Sequence, residues 1–400
     1  MSWLGPGFAV AATGVGAGDM VSTTVAGVDF GMMLLWTTVF SAIIKCALNE
    51  GLARWQLATG TTLLEAWAER LWRPLVWYAL VYLVVWCFTL GAGLMGACGL
   101  ALHEMWPVLP TWAWSILQAL ISLGLVVWGR YGSFEKVMGG LVALMFLSII
   151  GTTLSIRPSL PSIVTSLVPT VPKGSGTDIV RVIGGVGGSL SILCYGYWMR
   201  ERGRDGKDWL RGTRLDLFVA YTFTGVFGMC VLIMAAGVKL PETTTKPEVI
   251  VALANHVGSL SGRGGYWLLL LGFWGAAYSS LLGVYQGFPY LFADFVALLK
   301  RVSPEERTRM VATNSLYYRG FLLFLVFPPM VMFFTKKPEE LVKIYTLLGG
   351  LFMPFLAATL LYLNNSRSLP KDLRNGKLSN ILLIVALLVF AYLALKGEAG

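Results

Sequence analysis

Long apolar runs separated by short polar loops dominate the chain. A helix needs about 20 apolar residues to cross the hydrocarbon core of a bilayer, and the sequence contains eleven runs of roughly that length. They lie roughly at residues 6–28, 32–58, 74–101, 110–129, 135–155, 179–200, 215–238, 266–298, 317–335, 340–363 and 379–396. The pattern predicts an all-α polytopic membrane protein with about 11 transmembrane helices.

Glycine-rich breaks interrupt the first and the sixth of these runs. The first contains GVGAGDMVST at residues 14–23, and the sixth contains GGVGGSLS at residues 184–191. Two interrupted helices five segments apart are typical of an inverted-repeat transporter, whose substrate site lies between them. Irregular backbone is tolerated at membrane depth only where it is buried in protein or lines a cavity. The breaks therefore predict a polar site, although close helix packing is an alternative reason for the glycines alone.

The order of the segments predicts one transporter domain over residues 1–400. A first repeat is expected at about 5–155, a second at about 178–364, and an extra helix at about 379–396. The longest loops, SIRPSLPSIVTSLVPTVPKGSGTD and KLPETTTKPEVIVALANHVGSLSGRGG, are rich in Pro, Gly, Ser and Thr. We interpret both as external caps.

Composition and charge agree with a chain embedded in lipid. Hydrophobic residues make up 56% of the sequence and charged residues 13%, and the mean hydropathy is +0.69. The net charge of +10 does not indicate nucleic-acid binding, because the basic residues lie in short loops between apolar runs. If the N-terminus is cytoplasmic, the outside loops hold about half as many basic residues as the inside loops. The sequence thus predicts a multi-pass protein of the cell membrane with a cytoplasmic N-terminus and an external C-terminus.

An ionisable residue, Asp19, lies in the first break. Intramembrane carboxylates are costly and are usually functional, so Asp19 marks a candidate binding site. The sixth segment supplies hydroxyl groups and backbone near its own break. The expected substrate- or metal-binding residues are Gly16, Asp19, Gly188, Ser189, Ser191 and Tyr195.

Lys45 is a basic residue inside the second apolar run, in SAIIKCALNEG. One interpretation is a lysine that snorkels toward the interface. The other is a charge partner of Asp19, or of Glu50 in the same run. A pair with Asp19 would neutralise the site and oppose a metal substrate, because the metal would have to displace the ammonium group.

A small organic solute, such as an amino acid, is the alternative substrate. The GVGAG break leaves backbone N–H groups at the end of a half-helix, where a substrate carboxylate can dock. Tyr195, Tyr197 and Trp198 would then either line the pocket or pack in the bundle. An enzyme is not expected, since His103 and His256 lie near external ends and no nucleophile–base constellation is visible. No cofactor and no nucleic acid is expected, only the lipid bilayer and the transported ion or solute.

Six motifs along the chain resemble the Nramp family of divalent-metal transporters. They are, in order, GPGFAVAATGVGAGDMVSTTVAG, FGMMLLW, ALNEGLARWQLATG, GRYGSFEKV, SLVPTVP and AAYSSLLGVYQG. The resemblance covers nearly the whole chain. It implies a LeuT-type fold, a 5+5 inverted repeat in which helices 1 and 6 are broken, followed by an eleventh helix.

The resemblance also implies where the family's site residues fall. The first-helix motif Asp-Pro-Gly-Asn falls on Gly16–Asp19, so that the carboxylate has moved three residues along the chain. The sixth-helix methionine falls nearest Ser191, and the tenth-helix glutamine falls on Phe352. The acidic pair on the family's proton route falls on Leu90 and Gly93.

These departures favour a particular transport chemistry. Without the methionine, the site that the resemblance implies offers the Asp19 carboxylate as the candidate metal ligand, together with hydroxyl groups and backbone carbonyls. Oxygen ligands suit hard cations such as Mg²⁺ or Mn²⁺, which retain several waters. Without the acidic pair, transport is expected to proceed by alternating access and without proton coupling.

Overall fold

The structure, a computed structural model, describes residue 7 and residues 13–128, 131–238 and 248–395, with the backbone alone for residues 131–138. Ten stretches in this part are long and apolar enough to cross a membrane. The first of them, Ala17–Thr59, contains two helices joined by a 3-10 turn at Gly31–Leu34. Each predicted segment coincides with a helical stretch, while much of the start of the first segment lies outside the described residues.

The helices follow one another with short connections. In the first half they are α1 (Ala17–Phe30), α2 (Leu35–Thr59), α3 (Leu63–Arg70), α4 (Arg73–Met105), α5 (Thr111–Trp128), α6 (Tyr131–Ile156) and α7 (Leu160–Ser166). In the second half they are α8 (Gly176–Gly185), α9 (Tyr195–Glu201), α10 (Leu210–Ala235), α11 (Val249–Lys300), α12 (Pro304–Val311), α13 (Leu316–Val326), α14 (Pro338–Asn364) and α15 (Lys377–Leu395).

The main helix contacts repeat between the two halves of the chain. Helix α4, the third segment, packs on α14, the tenth, and α11, the eighth segment, packs on α6, the fifth. In an inverted repeat of five segments, the third segment corresponds to the eighth and the fifth to the tenth. The contact of the third with the tenth is therefore the counterpart of the contact of the eighth with the fifth. Helices α2 and α10, the second and seventh segments, pack on each other. Such correspondence is expected of an inverted-repeat transporter fold.

Both predicted helix breaks are present. Residues 15–16 are not helical and precede α1, and residues 186–189 separate α8 from the 3-10 turn at Leu190–Cys194. In the second break, Gly187 and Gly188 have φ angles of +77° and +71°. Only glycine adopts this region readily, because it has no Cβ. The glycines of the sixth segment therefore allow the chain to leave the helix inside the bundle.

Helical stretches lie within both of the long loops. Helix α7 lies in the first loop, and residues 249–261 form the start of α11, before a kink at Gly262. Ile250, Leu253 and Val257 are buried. Their spacing is that of a helix with one apolar face. The Pro, Gly, Ser and Thr residues around this stretch obscured its periodicity.

Two glutamates join the start of α11 to the start of α14. The backbone N–H of Val249 donates to the Glu339 carboxylate at 2.7 Å, and the backbone N–H of Glu339 donates to the Glu248 carboxylate at 3.2 Å. Burial of Glu248 and the neighbouring charge of Glu339 raise the pKa of Glu248 from 4.5 to about 7, although Lys337 and Lys343 oppose this shift. The contact therefore contains a carboxyl that is protonated more readily than an ordinary glutamate.

We expect Glu248 to make the thermal stability of the protein depend on pH. Its raised pKa means that its stabilising contribution is complete below about pH 4.5 and is lost as the pH rises through about 7. Glu248→Gln remains neutral, and should raise the unfolding temperature at about pH 8 but leave it nearly unchanged at about pH 4.5. Unfolding in detergent would measure this, with Glu340→Gln, an exposed neighbour, as the matched control. An equal gain in both variants would contradict the expectation.

Candidate functional site

The two helix breaks meet at the carboxylate of Asp19. This carboxylate accepts hydrogen bonds from the backbone N–H of Gly16 in the first break, at 2.8 Å, and of Gly187 in the second, at 3.0 Å. The side chain is fully buried. Asp19 is the third residue of α1, where the free N–H groups and the helix dipole favour a negative charge. A single carboxylate thereby links the two interrupted segments.

A cavity of ≈ 30 Å³, which we call the central cavity, lies between the two breaks. Its walls include Gly16, Gly18, Gly184, Gly185 and Gly188 from the broken segments. Its hydroxyl-bearing lining residues are Thr13, Ser189, Ser191, Ser280 and Tyr345. A volume of this size accommodates about one or two water molecules.

Two hydroxyl groups in this wall have no hydrogen-bond partner among the residues that the structure describes. They are the Oγ1 atom of Thr13 and the Oγ atom of Ser191, and both are buried. Buried polar groups in proteins are nearly always paired with protein or water. A Cβ added at Gly188 would lie only 2.1 Å from the Ser191 hydroxyl, so glycine leaves the space that this oxygen occupies. Both oxygens remain available to a ligand in the cavity.

The other serine hydroxyls of the wall hold the broken backbone. Ser280 of α11 donates to the carbonyl oxygen of Thr13 at 2.9 Å, and Ser189 donates to that of Gly184. Of these residues the sequence analysis identified Ser189 but not Ser280 or Thr13, and it also missed Tyr345. The signal for Ser280 was present in AAYSSLLG, where two adjacent polar side chains lie in an otherwise apolar helix.

Lys45 of α2 is fully buried and contacts the end of α8. Its ammonium group donates to the carbonyl oxygens of Gly184, at 3.2 Å, and Val186, at 2.5 Å. It forms no salt bridge within 4 Å in the described part of the chain, although it attracts Asp19 through space. The C-terminal end of a helix carries a partial negative charge, which the ammonium group complements.

Four residues of the expected set, Asp19, Tyr195, Lys45 and Glu50, are not among the residues that line the central cavity. The hydroxyl of Tyr195 is 3.5 Å from the Asp216 carboxylate, and Tyr195 does not line the cavity. Glu50 forms salt bridges with Arg54, at 3.1 Å, and with Arg214, at 2.9 Å. Gly16, Gly188, Ser189 and Ser191, in contrast, all contribute to the cavity wall.

The positions matched to other family site residues are apolar. Leu90 lines the central cavity, and Gly93 packs closely against the ring of Tyr345. Phe352 lies in an aromatic cluster with Trp67 and is not part of the cavity wall. Within the described residues, no three His, Cys, Asp or Glu side chains form a group suited to a metal ion. A metal here would depend on one carboxylate together with hydroxyl and backbone oxygens.

Comparison with known proteins identifies the family of the chain. The profile of the family described as Nramp, natural resistance-associated macrophage protein-like, matches residues 7–397. The chain belongs to the Nramp family. This membership confirms a transporter instead of an enzyme, and a multi-pass membrane protein.

Curated Nramp proteins resemble the chain over much of its length. The divalent metal cation transporter MntH of Bacillus subtilis (strain 168) is 24% identical over 368 residues, which cover 84% of each chain. The transporter of the same name from Mycobacterium tuberculosis (strain ATCC 25618 / H37Rv) is 28% identical over 252 residues, which cover 59% of this Nramp chain and 58% of that protein.

Solved structures show the same fold. A crystal structure of a mutant manganese transporter from Eremococcus coleocola superposes with a TM-score of 0.77 at 14% sequence identity, and covers 99% of this chain and 86% of the other. That transporter in complex with an aromatic bis-isothiourea substituted compound gives a TM-score of 0.73. The expected LeuT-type fold, with its 5+5 inverted repeat, is confirmed.

Proposed function

We propose that this Nramp protein carries a divalent metal cation across the membrane by alternating access. The observation that carries the proposal is the small central cavity, which is lined by residues of both helix breaks, while the buried Asp19 carboxylate links the same two breaks through Gly16 and Gly187. The curated relatives named above, which are divalent metal cation transporters, support the same substrate class. In this role Asp19 supplies the negative charge, and Gly16, Gly188, Ser189 and Ser191 form the surrounding wall.

The size of the cavity favours a cation over the alternative organic solute. Pockets for small organic molecules usually enclose roughly 300 Å³ or more, an order of magnitude above the ≈ 30 Å³ found here. Helix α14 and the two breaks close around this space, so an amino acid does not fit in this conformation. Tyr195, which would have lined a pocket for an organic solute, faces Asp216 instead.

The chemistry of the wall favours a hard cation such as Mg²⁺ or Mn²⁺. No sulfur atom lines the central cavity among the described residues. The two free hydroxyl oxygens, on Thr13 and Ser191, are hard ligands. Oxygen ligands and retained water are what Mg²⁺ and Mn²⁺ prefer, whereas thioether and thiolate ligands select softer metals.

We further propose that transport proceeds without proton coupling and that the N-terminus is cytoplasmic. Leu90 and Gly93 lie where the resembled family has its acidic pair, and neither can titrate. For orientation, Arg200 and Arg307 both form salt bridges with Glu65, so three basic loops share one face of the bundle. A concentration of basic residues on one face supports a cytoplasmic position for that face.

We expect Asp19→Ala to abolish cation uptake, because the negative charge that attracts the cation is lost. Asp19→Asn, which keeps an oxygen that can accept from a backbone N–H, should lose uptake in the same way while it retains the fold. Uptake of Mn²⁺ into proteoliposomes and calorimetric titration of the purified protein would measure transport and binding. Asp205→Ala, in an exposed loop, is the matched control and should behave as wild type. Normal transport by Asp19→Ala would exclude this site.

We expect weak discrimination between Mn²⁺, Mg²⁺ and Ca²⁺, and little advantage for Cd²⁺ over Mn²⁺. The reason is that no described residue of the cavity wall offers a soft ligand. Competition of each ion with Mn²⁺ uptake would give the order of affinities. A strong preference for Cd²⁺ would instead indicate that a sulfur atom, from Cys194 or Met199, enters the site in another conformation.

We expect cation entry to leave the internal pH of proteoliposomes unchanged. No side chain at the positions of Leu90 and Gly93 can carry a proton beside the site. Vesicles that contain both a pH-sensitive and a metal-sensitive dye would report proton and cation entry in the same sample. Internal acidification that grows with the dose of cation would show coupling, and would direct attention to Asp19, Glu50 or Glu201 as the proton carrier.

A further inference from the structure

Two opposite charges in the interior lack a salt-bridge partner. The charged side chains that are buried in the described part of the chain are Asp19, Lys45, Arg54, Asp178, Arg204 and Asp294. Each of the last four lies within 4 Å of an oppositely charged group. Asp19 and Lys45 form no such pair among the described residues. They are therefore the remaining unpaired charges of this interior.

Gly187 lies between these two charges. Its backbone N–H donates to the Asp19 carboxylate at 3.0 Å. A Cβ added at Gly187 would lie 3.5 Å from the Cδ atom of Lys45, so the lysine side chain passes close to the same residue. Opposite charges attract strongly over several ångströms where water is excluded. Asp19 and Lys45 thus serve as countercharges across the second break.

We propose that Lys45 is the fixed countercharge that allows the unloaded carrier to reorient. The proposal rests on the proposed function as a cation carrier. Without a bound cation, Asp19 and Lys45 together bear no net charge, so both breaks can move inside the membrane as a neutral unit. With Asp19 alone, the return step would move an uncompensated negative charge through a medium of low dielectric, which is costly.

Lys45 has a second effect on the loaded carrier. A divalent cation beside Asp19 adds two positive charges to a site that is already balanced, and the ammonium group repels it. Lys45 therefore weakens cation binding while it eases the return of the empty site. Removal of the Lys45 charge should raise the affinity for the cation and slow the reorientation of the unloaded carrier. The first effect favours transport and the second opposes it.

A purely structural role for Lys45 makes a different prediction. Its ammonium group also satisfies the carbonyl oxygens of Gly184 and Val186 at the end of α8. If this were its whole contribution, a substitution would impair every step that requires an intact second break. Net uptake and exchange would then fall in the same proportion, and cation affinity would not rise.

The decisive experiment compares net uptake with exchange of Mn²⁺ in proteoliposomes. Net uptake into vesicles without internal Mn²⁺ requires the empty carrier to return, whereas exchange of external for internal Mn²⁺ moves a loaded carrier in both directions. The variants are Lys45→Met, which removes the charge, Lys45→Gln, which also keeps a donor for the two carbonyl oxygens, and Lys45→Arg, which keeps the charge. Lys300→Met, at the exposed end of α11, is the control.

Lys45→Met and Lys45→Gln should lower the ratio of net uptake to exchange by about tenfold or more, the scale expected for an unbalanced intramembrane charge. Both should bind Mn²⁺ more tightly in calorimetric titration, and Lys45→Arg should retain the wild-type ratio. An unchanged ratio in Lys45→Gln, or equal loss of both rates in Lys45→Met, would overturn the proposal. Absence of Mn²⁺ uptake and binding by the wild-type protein would overturn the proposed function itself, and this proposal with it.

Discussion

The hydrogen bonds of the Asp19 carboxylate are the interaction on which the site depends. An interrupted helix inside a membrane leaves backbone N–H groups without partners, and each costs several kcal/mol in hydrocarbon. Asp19 accepts from one such group in each break, at Gly16 and at Gly187. The carboxylate therefore stabilises the irregular backbone of both segments at once and fixes their separation. The central cavity is lined by residues of the two segments that this carboxylate links, and Lys45 contacts the second of them.

The glycines of the sixth segment serve both purposes that the sequence left open. A Cβ at Gly184 would lie 1.8 Å from the carbonyl oxygen of Thr346 in α14, and one at Gly185 would lie 2.4 Å from the Ser22 hydroxyl in α1. These two glycines allow close packing. Gly187 and Gly188, in contrast, supply the positive φ angles that form the break. Close packing and the break together explain why the cavity is small, since helices α1, α8 and α14 approach each other almost to backbone contact around it.

The sequence predicted the segments, the breaks and the fold well because those signals are local. Hydrophobic runs, glycine clusters and an isolated carboxylate are visible without any knowledge of tertiary contacts. The partners of individual side chains are not local. Lys45 contacts carbonyl oxygens of residues 184 and 186, and Ser280 contacts the backbone of Thr13. From the sequence, Tyr195 and Glu50 are expected at the site because they lie near it in the chain. In the structure Tyr195 contacts the Asp216 carboxylate, and Glu50 forms salt bridges with Arg54 and Arg214. Contacts between segments that are distant in the chain determine the partner of each side chain, and a single sequence does not reveal those contacts.

The displaced carboxylate shows how the chain departs from its family without losing the charge at the first break. The family's aspartate would fall on Gly16, where a Cβ would lie 2.0 Å from the Ser280 hydroxyl, so this position has no room for a side chain. Residues three apart in a helix lie on one face about one turn from each other. Asp19 therefore reaches back over the first turn of α1 and accepts from the N–H of Gly16 itself. The negative charge remains at the break, but the two oxygens of the Asp19 carboxylate accept hydrogen bonds from two backbone N–H groups. A carboxylate bound in this way has fewer free lone pairs for a metal, which supports the proposal that hydroxyl groups and water supply much of the coordination of a hard cation.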